Sequence, residues 1–401
     1  MKKSLAFFLA VLLMAVFFVP AAGAQVTVEE GYDYTRFAGE DVTLNVYNWG
    51  LYISDGTDDS MDVVKEFEEL TGIRVNYTTF DTNESLYSKL KSGGGEYDVI
   101  IPSDYMIGKM IREDMLEKLD FANIPNYAMI GDAYKTEEYA EYSVPYTWGV
   151  VGIVYNTTMV DDPVTSWESL WDPRYTGQIL MFNNSRDAYA IASKKLGLSL
   201  NPADESEVAL ATEELKAQKS LVQAYVMDEI FDKMEGGEAA LAPYYAGDAL
   251  IMIEENPDLA FCIPVEGTNF FVDAMCIPKG CKNKEAAEMF INFMCETEIA
   301  LANTEFIGYS TPQTEAVARL PEELKNSPIM YPSEDVMATT EIFSVLPEEL
   351  AQAMDKQWSD VRSYDESGSS RYMIPIVLVL TVAVIILILR NRAIKRFRDD
   401  Y

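Results

Sequence analysis

Strand-like and helix-like segments alternate from the start of this chain, and this alternation constrains its fold more than any other feature. Strand-like segments at 44–47 and 74–80 are each followed by a helix-like segment, at 61–70 and 83–91 respectively. A buried strand at 99–102 and a helix at 105–113 continue the series. Repeated strand, helix, strand units favour a mostly parallel sheet covered by helices on both faces.

A second series of the same kind follows a crossing. Residues 142–156 form two extended segments joined by Gly149, and residues 270–277 form another extended segment. Between these two places lie further alternating segments at 166–171, 178–182, 187–196, 206–217, 239–244 and 247–253. After 277 come helical patterns at 283–295, 297–304 and 348–361. We therefore expect two lobes, one of residues 41–149 with about 272–310, the other of residues 150–271 with about 311–362.

The amino-terminal end has the layout of a secretory signal peptide. Two lysines precede an apolar run, and small residues follow Pro20 up to Ala24. This pattern predicts a signal peptide over 1–24 that is absent from the mature protein; an uncleaved anchor helix is the alternative. The predicted cut has no cysteine, which excludes a lipoprotein anchor there.

A second apolar run lies near the carboxyl end. Residues 373–389 carry no charge, and five Arg and Lys residues follow between 390 and 398. The run predicts a transmembrane helix whose basic end, 390–401, is a cytoplasmic tail. The polar stretch 363–372 then serves as a linker, and we expect the bulk of the protein outside the cytoplasmic membrane, periplasmic or at the cell surface.

The charge balance limits the partners. Asp and Glu number 65 against 31 Lys and Arg, and part of that basic complement belongs to the tail. Nucleic acid is excluded as a partner because phosphate binding needs a basic face, whereas a cationic ligand is favoured. Solubility alone explains most of the acid excess, so net charge does not name a ligand.

Catalytic and metal sites have few possible components here. The chain has no histidine, phosphate-binding loop or serine elbow, which leaves only carboxylate chemistry such as glycoside hydrolysis. Cys262, Cys276, Cys281 and Cys295 are predicted as core thiols, with one or two disulfides as the alternative; their spacing does not favour a zinc site. We expect no cofactor, no metal and no enzymatic activity.

Aromatic residues beside single carboxylates mark the predicted segment ends. The groups are Tyr47, Trp49 and Tyr52; Asp104 and Tyr105; Tyr244, Tyr245 and Asp248; and Phe270, Phe271 and Asp273. The carboxyl ends of parallel strands face the ligand crevice in open sheets. An aromatic wall with a few carboxylates suits an aliphatic ammonium ligand.

Structural roles compete with this interpretation. Tyr47 and Tyr244 lie within strands and are predicted as core, Trp49 fits core and cleft equally, and Asp248 could cap a helix. Asp273 lies inside an apolar extended segment, where a carboxylate must find a partner, so function is favoured there.

Together these residues resemble the bacterial periplasmic polyamine-binding proteins, the receptors that prefer spermidine or putrescine. The likeness covers residues 42–331, and its motifs are Val46-Tyr47-Asn48-Trp49-Gly50, Asn83-Glu84-Ser85-Leu86-Tyr87, Pro102-Ser103-Asp104-Tyr105, Val144-Pro145-Tyr146-Thr147-Trp148-Gly149, Arg186-Asp187, Phe271-Val272-Asp273 and Ile307-Gly308-Tyr309. The resemblance implies a type II periplasmic-binding-protein fold, α/β with two lobes and a cleft. It also implies a receptor that delivers polyamine to the permease of an ABC importer.

The same resemblance implies a ligand site and three departures from the family pattern. The implied ligand-binding residues are Trp49, Tyr52, Ser103, Tyr105, Asp187, Tyr245, Asp248, Phe271, Asp273 and Tyr309. Leu51 and Asn184 stand where relatives carry acids, and the carboxyl-terminal helix departs from soluble or lipid-anchored relatives. The balance leans to the shorter diamine without separating the two ligands. A receptor for another small cation or amino acid, or a sensory or adhesive ectodomain, stays open as an alternative.

Overall fold

The computed structural model describes residues 26–364. The signal peptide, the transmembrane helix at 373–389 and the cytoplasmic tail, all predicted from the sequence, lie outside these residues, as does nearly all of the predicted linker. Within 26–364, no helix is long and apolar enough to cross a membrane.

Nine strands in the described part of the chain form one continuous sheet. They are β1 (Thr43–Trp49), β2 (Arg74–Phe80), β3 (Val99–Ile100), β4 (Ser143–Asn156), β5 (Ile179–Phe182), β6 (Val222–Val226), β7 (Leu241–Tyr245), β8 (Leu259–Cys262) and β9 (Phe270–Cys276). Their order is β2-β1-β3-β9-β4-β7-β5-β6, and β8 pairs with β4 off this path. The pairs of β1 with β2 and β3, and of β5 with β6 and β7, are parallel, whereas β4 and β9 run antiparallel to their neighbours.

Helices cover the sheet. They are α1 (Val63–Thr71), α2 (Asn83–Lys91), α3 (Asp104–Arg112), α4 (Ser185–Lys195), α5 (Glu205–Gln218), α6 (Ile230–Glu235), α7 (Ala246–Glu255), α8 (Lys284–Met294), α9 (Thr297–Ile307), α10 (Thr314–Arg319), α11 (Glu322–Lys325), α12 (Glu334–Met337) and α13 (Glu348–Ser363). Local signals fix several of their ends: Thr82 and Ser85 form a capping box at the start of α2, and Gly72, with φ 75°, ends α1.

The long strand β4 joins two halves of the sheet. Its first part, Ser143 to Val150, pairs with β9, and its second part pairs with β7 and β8. We call the half with β1, β2, β3 and β9 the first lobe, and the half with β5 to β8 the second lobe. Gly149 does not divide β4 into the two segments expected from the sequence. It lies opposite Phe271, and a Cβ there would approach the Phe271 ring to 2.9 Å, so Gly149 leaves room for that ring within an unbroken strand.

The carboxyl-terminal part of the described chain contacts both lobes in turn. After α9, Gln313 forms a bridge with Ile130 and its side chain donates to Thr297 at 2.9 Å, so this stretch lies on the first lobe. Glu341 then pairs with Asn269, and α13 packs against α4 and α5 of the second lobe. The chain therefore passes between the lobes for a third time near residue 340.

Candidate functional site

A cavity lies between the two lobes, where several strands of the sheet end. All ten residues that the resemblance implied as ligand-binding line this one cavity: Trp49, Tyr52, Ser103, Tyr105, Asp187, Tyr245, Asp248, Phe271, Asp273 and Tyr309. Residues separated by up to about 260 positions in the chain thus meet in space, as expected for a crevice at the carboxyl ends of parallel strands.

Asp273 lies on β9 in the wall of the cavity and is only 4% exposed. The Tyr52 hydroxyl donates to its Oδ2 at 2.7 Å and lies 2.6 Å from the Thr147 hydroxyl. Its Oδ1 has no hydrogen-bond partner among the described residues. Burial raises the pKa of Asp273 to about 6. Tyr52 therefore positions one carboxylate oxygen, and the neighbouring Ser103 hydroxyl lowers the pKa of this carboxyl group against the effect of burial.

Asp187 lies in the first turn of α4. Asn184 is the N-cap of this helix and accepts from the backbone N–H groups of Arg186 and Asp187, so it stabilises the helix start and does not line the cavity. The Tyr245 hydroxyl donates to Asp187 Oδ2 at 2.9 Å. Burial raises the pKa of Asp187 to about 7.

Asp248 lies in the first turn of α7 but does not cap it. The N-cap position of α7 is Tyr245, which makes no side-chain capping bond. The Asp248 carboxylate instead accepts a hydrogen bond of 2.8 Å from Tyr309, which follows α9 of the first lobe. This bond joins the two lobes, and burial raises the pKa of Asp248 to about 7.

Aromatic rings form most of the remaining wall. The Phe271 ring packs edge-on against Tyr245 at 5.5 Å and against Tyr309 at 6.3 Å between centroids, and Tyr52 meets Tyr309 at 4.8 Å. Tyr47 and Tyr244, predicted as core, are 4% and 2% exposed. The rings provide apolar faces that can cover methylene groups and attract a cation.

The polar atoms of three other predicted residues are already bonded. Trp49 Nε1 donates to the carbonyl of Ile101 at 2.8 Å, and Tyr105 donates to Glu84 at 3.0 Å. Ser103 Oγ accepts from Asn83 at 3.0 Å. Trp49 and Tyr105 can therefore offer a ligand mainly their ring faces.

Seven further polar or aromatic residues line the cavity and were not assigned to the site from the sequence: Phe80, Asp81, Asn83, Asp228, Tyr244, Asn269 and Phe343. Asp81 directly follows the end of β2, and Asp228 lies two residues after the end of β6, in the opposite lobe. The guanidinium group of Arg186 stacks over the Phe343 ring at 4.4 Å. A carboxylate just after a strand end was the one sequence signal that could have found Asp81.

Leu51 is not in the wall of the cavity. It is 62% exposed and has a left-handed backbone, with φ 49°. The departure that the resemblance implied at Leu51 therefore does not alter the cavity wall.

The charged residues that line the cavity are all acidic. Asp81, Asp187, Asp228, Asp248 and Asp273 line it, and no Lys or Arg does so among the described residues. In residues 26–364 no cluster of His, Cys, Asp and Glu could hold a metal ion, and the four cysteines are free thiols. The arrangement can hold an organic cation by hydrogen-bonded carboxylates and ring faces.

Comparison with known proteins finds a matching family profile and several related sequences. The profile described as bacterial extracellular solute-binding protein matches residues 62–332. A spermidine/putrescine-binding periplasmic protein of Salmonella typhimurium is 34% identical over 309 residues, which cover 76% of this chain and 87% of the relative. The putrescine-binding periplasmic protein SpuD of Pseudomonas aeruginosa is 29% identical over 81% of this chain and 93% of its own.

A solved structure of a similar protein supports the same family assignment. The spermidine/putrescine ABC transporter substrate-binding protein PotD of Streptococcus pneumoniae superposes with a TM-score of 0.68 at 36% identity, covering 80% of this chain and 99% of its own. The resemblance inferred from the motifs, and the α/β periplasmic-binding-protein fold that it implied, are thereby confirmed.

Proposed function

Because the chain belongs to the bacterial extracellular solute-binding proteins, we propose that it captures putrescine or spermidine outside the cytoplasmic membrane and delivers it to the permease of an ABC importer. Its relatives are transport proteins that bind solutes, and the chain is not an enzyme. The observation that carries the choice of ligand is the cavity wall, in which five aspartates and several aromatic rings occur with no Lys or Arg from the described part of the chain.

The charge of the wall also separates polyamines from the alternative ligands. An amino acid carries a carboxylate, which needs a cationic partner, and the cavity wall of the described chain offers none. A polyamine carries only ammonium groups and methylenes, which match the carboxylates and the ring faces. We infer that Asp187 and Asp273 hold opposite ends of the polyamine and that Phe271 packs along its methylenes.

We also propose that the lobes close on the ligand about the crossing strands near Gly149. The Tyr309–Asp248 hydrogen bond already links the lobes beside this crossing. The contacts of Gln313 lead us to draw the first lobe as residues 41–149 with about 272–331, and the second as 150–271 with about 338–362.

The membrane attachment is a further proposal that rests on the sequence. The signal peptide is cleaved after Ala24, and residues 373–389 anchor the receptor with 390–401 in the cytoplasm. Protease added to intact or wall-stripped cells should then remove the binding domain. Digestion of the carboxyl-terminal dozen residues alone would show the opposite orientation.

Calorimetry of the purified full chain with putrescine, spermidine and several amino acids tests the function. We expect saturable binding of at least one polyamine and none of the amino acids. Binding of an amino acid without polyamine binding would refute the proposal.

A further inference from the structure

Asn269 is a buried polar residue of the cavity wall that has no hydrogen-bond partner for its oxygen. It is 5% exposed, and its Oδ1 contacts no donor among the described residues. The residue immediately precedes β9, and strand alternation gives it the same face as Phe271 and Asp273. All three residues line the cavity.

The backbone around Asn269 is held on both sides, so the direction of its side chain is fixed. On one side, the N–H of Val151 on β4 donates to the Asn269 carbonyl at 3.3 Å. On the other side, Glu341 donates to Thr268 and accepts from Phe270, both at 2.9 Å. These bonds hold the carboxamide in the wall without using its polar atoms.

A second asparagine in the same wall shows the contrast. Asn83 donates to Ser103 Oγ at 3.0 Å and accepts from the Ser103 N–H at 3.1 Å, so its carboxamide is fully used by the protein. A buried carboxamide oxygen without a partner destabilises the folded state unless something else supplies a donor. Because Asn269 faces the cavity, the bound ligand is the group that can supply it.

We propose that Asn269 is a ligand contact whose carboxamide oxygen accepts a hydrogen bond from an amine nitrogen of the bound polyamine. This inference rests on the proposed function and adds a neutral acceptor to the carboxylates of the site. Rotation of the carboxamide can present its oxygen or its nitrogen, and an ammonium group, which only donates, selects the oxygen.

The position along the strand also indicates the length of ligand that uses this contact. Asn269 and Asp273 are four residues apart, which corresponds to about 13 Å between their Cα atoms in a strand. A triamine is longer than a diamine and has one more nitrogen. We therefore expect spermidine to depend on Asn269 at least as strongly as putrescine does.

The test uses the full chain with Asn269→Leu, which removes the acceptor at similar volume. Calorimetry should show spermidine affinity about tenfold lower or more, since hydrogen bonds to charged groups contribute at least that much. The melting temperature of the unliganded variant should stay equal or rise, because an unsatisfied polar group has been replaced by an apolar one. Asn269→Asp, which keeps an oxygen acceptor, should retain binding even if the leucine variant folds poorly.

Asn183→Leu is the matched control. Asn183 also has an Oδ1 without a partner among the described residues but does not line the cavity, so this variant should bind like the wild type. Unchanged affinity of Asn269→Leu for both polyamines, or a lower melting temperature with unchanged affinity, would overturn the assignment of Asn269. Failure of the wild type to bind any polyamine would instead refute the proposed function, so the two failures are distinguishable.

Discussion

Polyamine affinity should depend strongly on pH because the cavity carboxyl groups must be ionised to hold an ammonium group. Burial raises the pKa of Asp187 to about 7 and that of Asp273 to about 6. The amines of the ligand stay protonated through this range, since their ordinary pKa is about 10. Binding therefore strengthens as pH rises and is coupled to the release of protons from the cavity.

The expected size follows from the two pKa values. At pH 5.5 both carboxyl groups are mostly protonated and must lose a proton before they can bind an ammonium group. This requirement weakens the apparent affinity by about 30-fold for Asp187 and by about fourfold for Asp273, whereas at pH 8 both groups are ionised and the effect nearly vanishes. The dissociation constant should thus be about 100-fold larger or more at pH 5.5 than at pH 8, because Asp248 in the same wall also has a pKa raised to about 7. The Asp187→Asn variant, which binds more weakly overall, should lose the roughly 30-fold part of this change that Asp187 contributes.

The stability of the unliganded protein should change in the opposite direction. Because the folded pKa of Asp273 is raised from 3.8 to about 6, its protonated form favours folding. This stability is fully present below about pH 4 and is lost as pH rises through about 6, with a total of about 3 kcal/mol. Ligand binding offsets the loss by supplying the missing positive charge.

Calorimetry at pH 5.5, 6.5 and 8 and at constant ionic strength measures the affinity. Repeating it in two buffers with different ionisation enthalpies measures the number of protons released on binding. Asp161→Asn, which changes an exposed residue, is the control and should keep the full pH dependence. A dissociation constant that changes less than about threefold between pH 5.5 and 8 would refute the reasoning.

Three further outcomes are expected. Asp273→Asn should weaken polyamine binding by about thirty-fold or more in calorimetry, because an ammonium group in the site loses its carboxylate, whereas Asp161→Asn should change it little; normal binding with an intact fold would contradict this role. Gly247→Ala should lower the free energy of unfolding by about 1–3 kcal/mol and also weaken binding, because a Cβ there would overlap the buried Tyr309 ring and displace it from Asp248; unchanged affinity would argue against that interlobe contact. The radius of gyration in X-ray scattering should fall when polyamine is added, and an identical profile at saturation would exclude lobe closure.

Several elements were predictable because their signals are local. The strand Arg74–Phe80 and the helix Asn83–Lys91 were predicted to the residue, since the helix carries its own capping box. The strands β6 and β8 were not predicted, because both are short and most of their residues are only partly buried, so their apolar pattern is weak. Their pairing partners, β5 and β4, are far away in the sequence, and only tertiary structure defines them.

The candidate site was predictable only where a motif or a strand end marked it. The ten residues implied by the resemblance share one cavity, although their contacts with ligand stay a prediction. Asn269 carried no signal, because an asparagine before an apolar strand is common and its missing partner is visible only in three dimensions. Asp248, in contrast, carried a local signal that pointed to the wrong role. Its position at a helix start favoured a helix cap, but its actual partner is Tyr309, which approaches from the other lobe.

The distribution of ion pairs explains why this cavity suits a cationic ligand better than the acidic surface does. Many surface acids have basic neighbours, as in the pairs Lys282–Glu96 and Arg74–Asp41, and such exposed pairs contribute little. Asp187, Asp248 and Asp273 have no such partner among the described residues; each accepts a hydrogen bond from one tyrosine, which positions the carboxylate but cannot neutralise it. A buried carboxylate without a cation is unfavourable, and protonation relieves it only below the raised pKa values of about 6 to 7. At neutral pH a polyamine can supply both the positive charge and the hydrogen-bond donors, so binding removes an electrostatic cost that the fold itself creates.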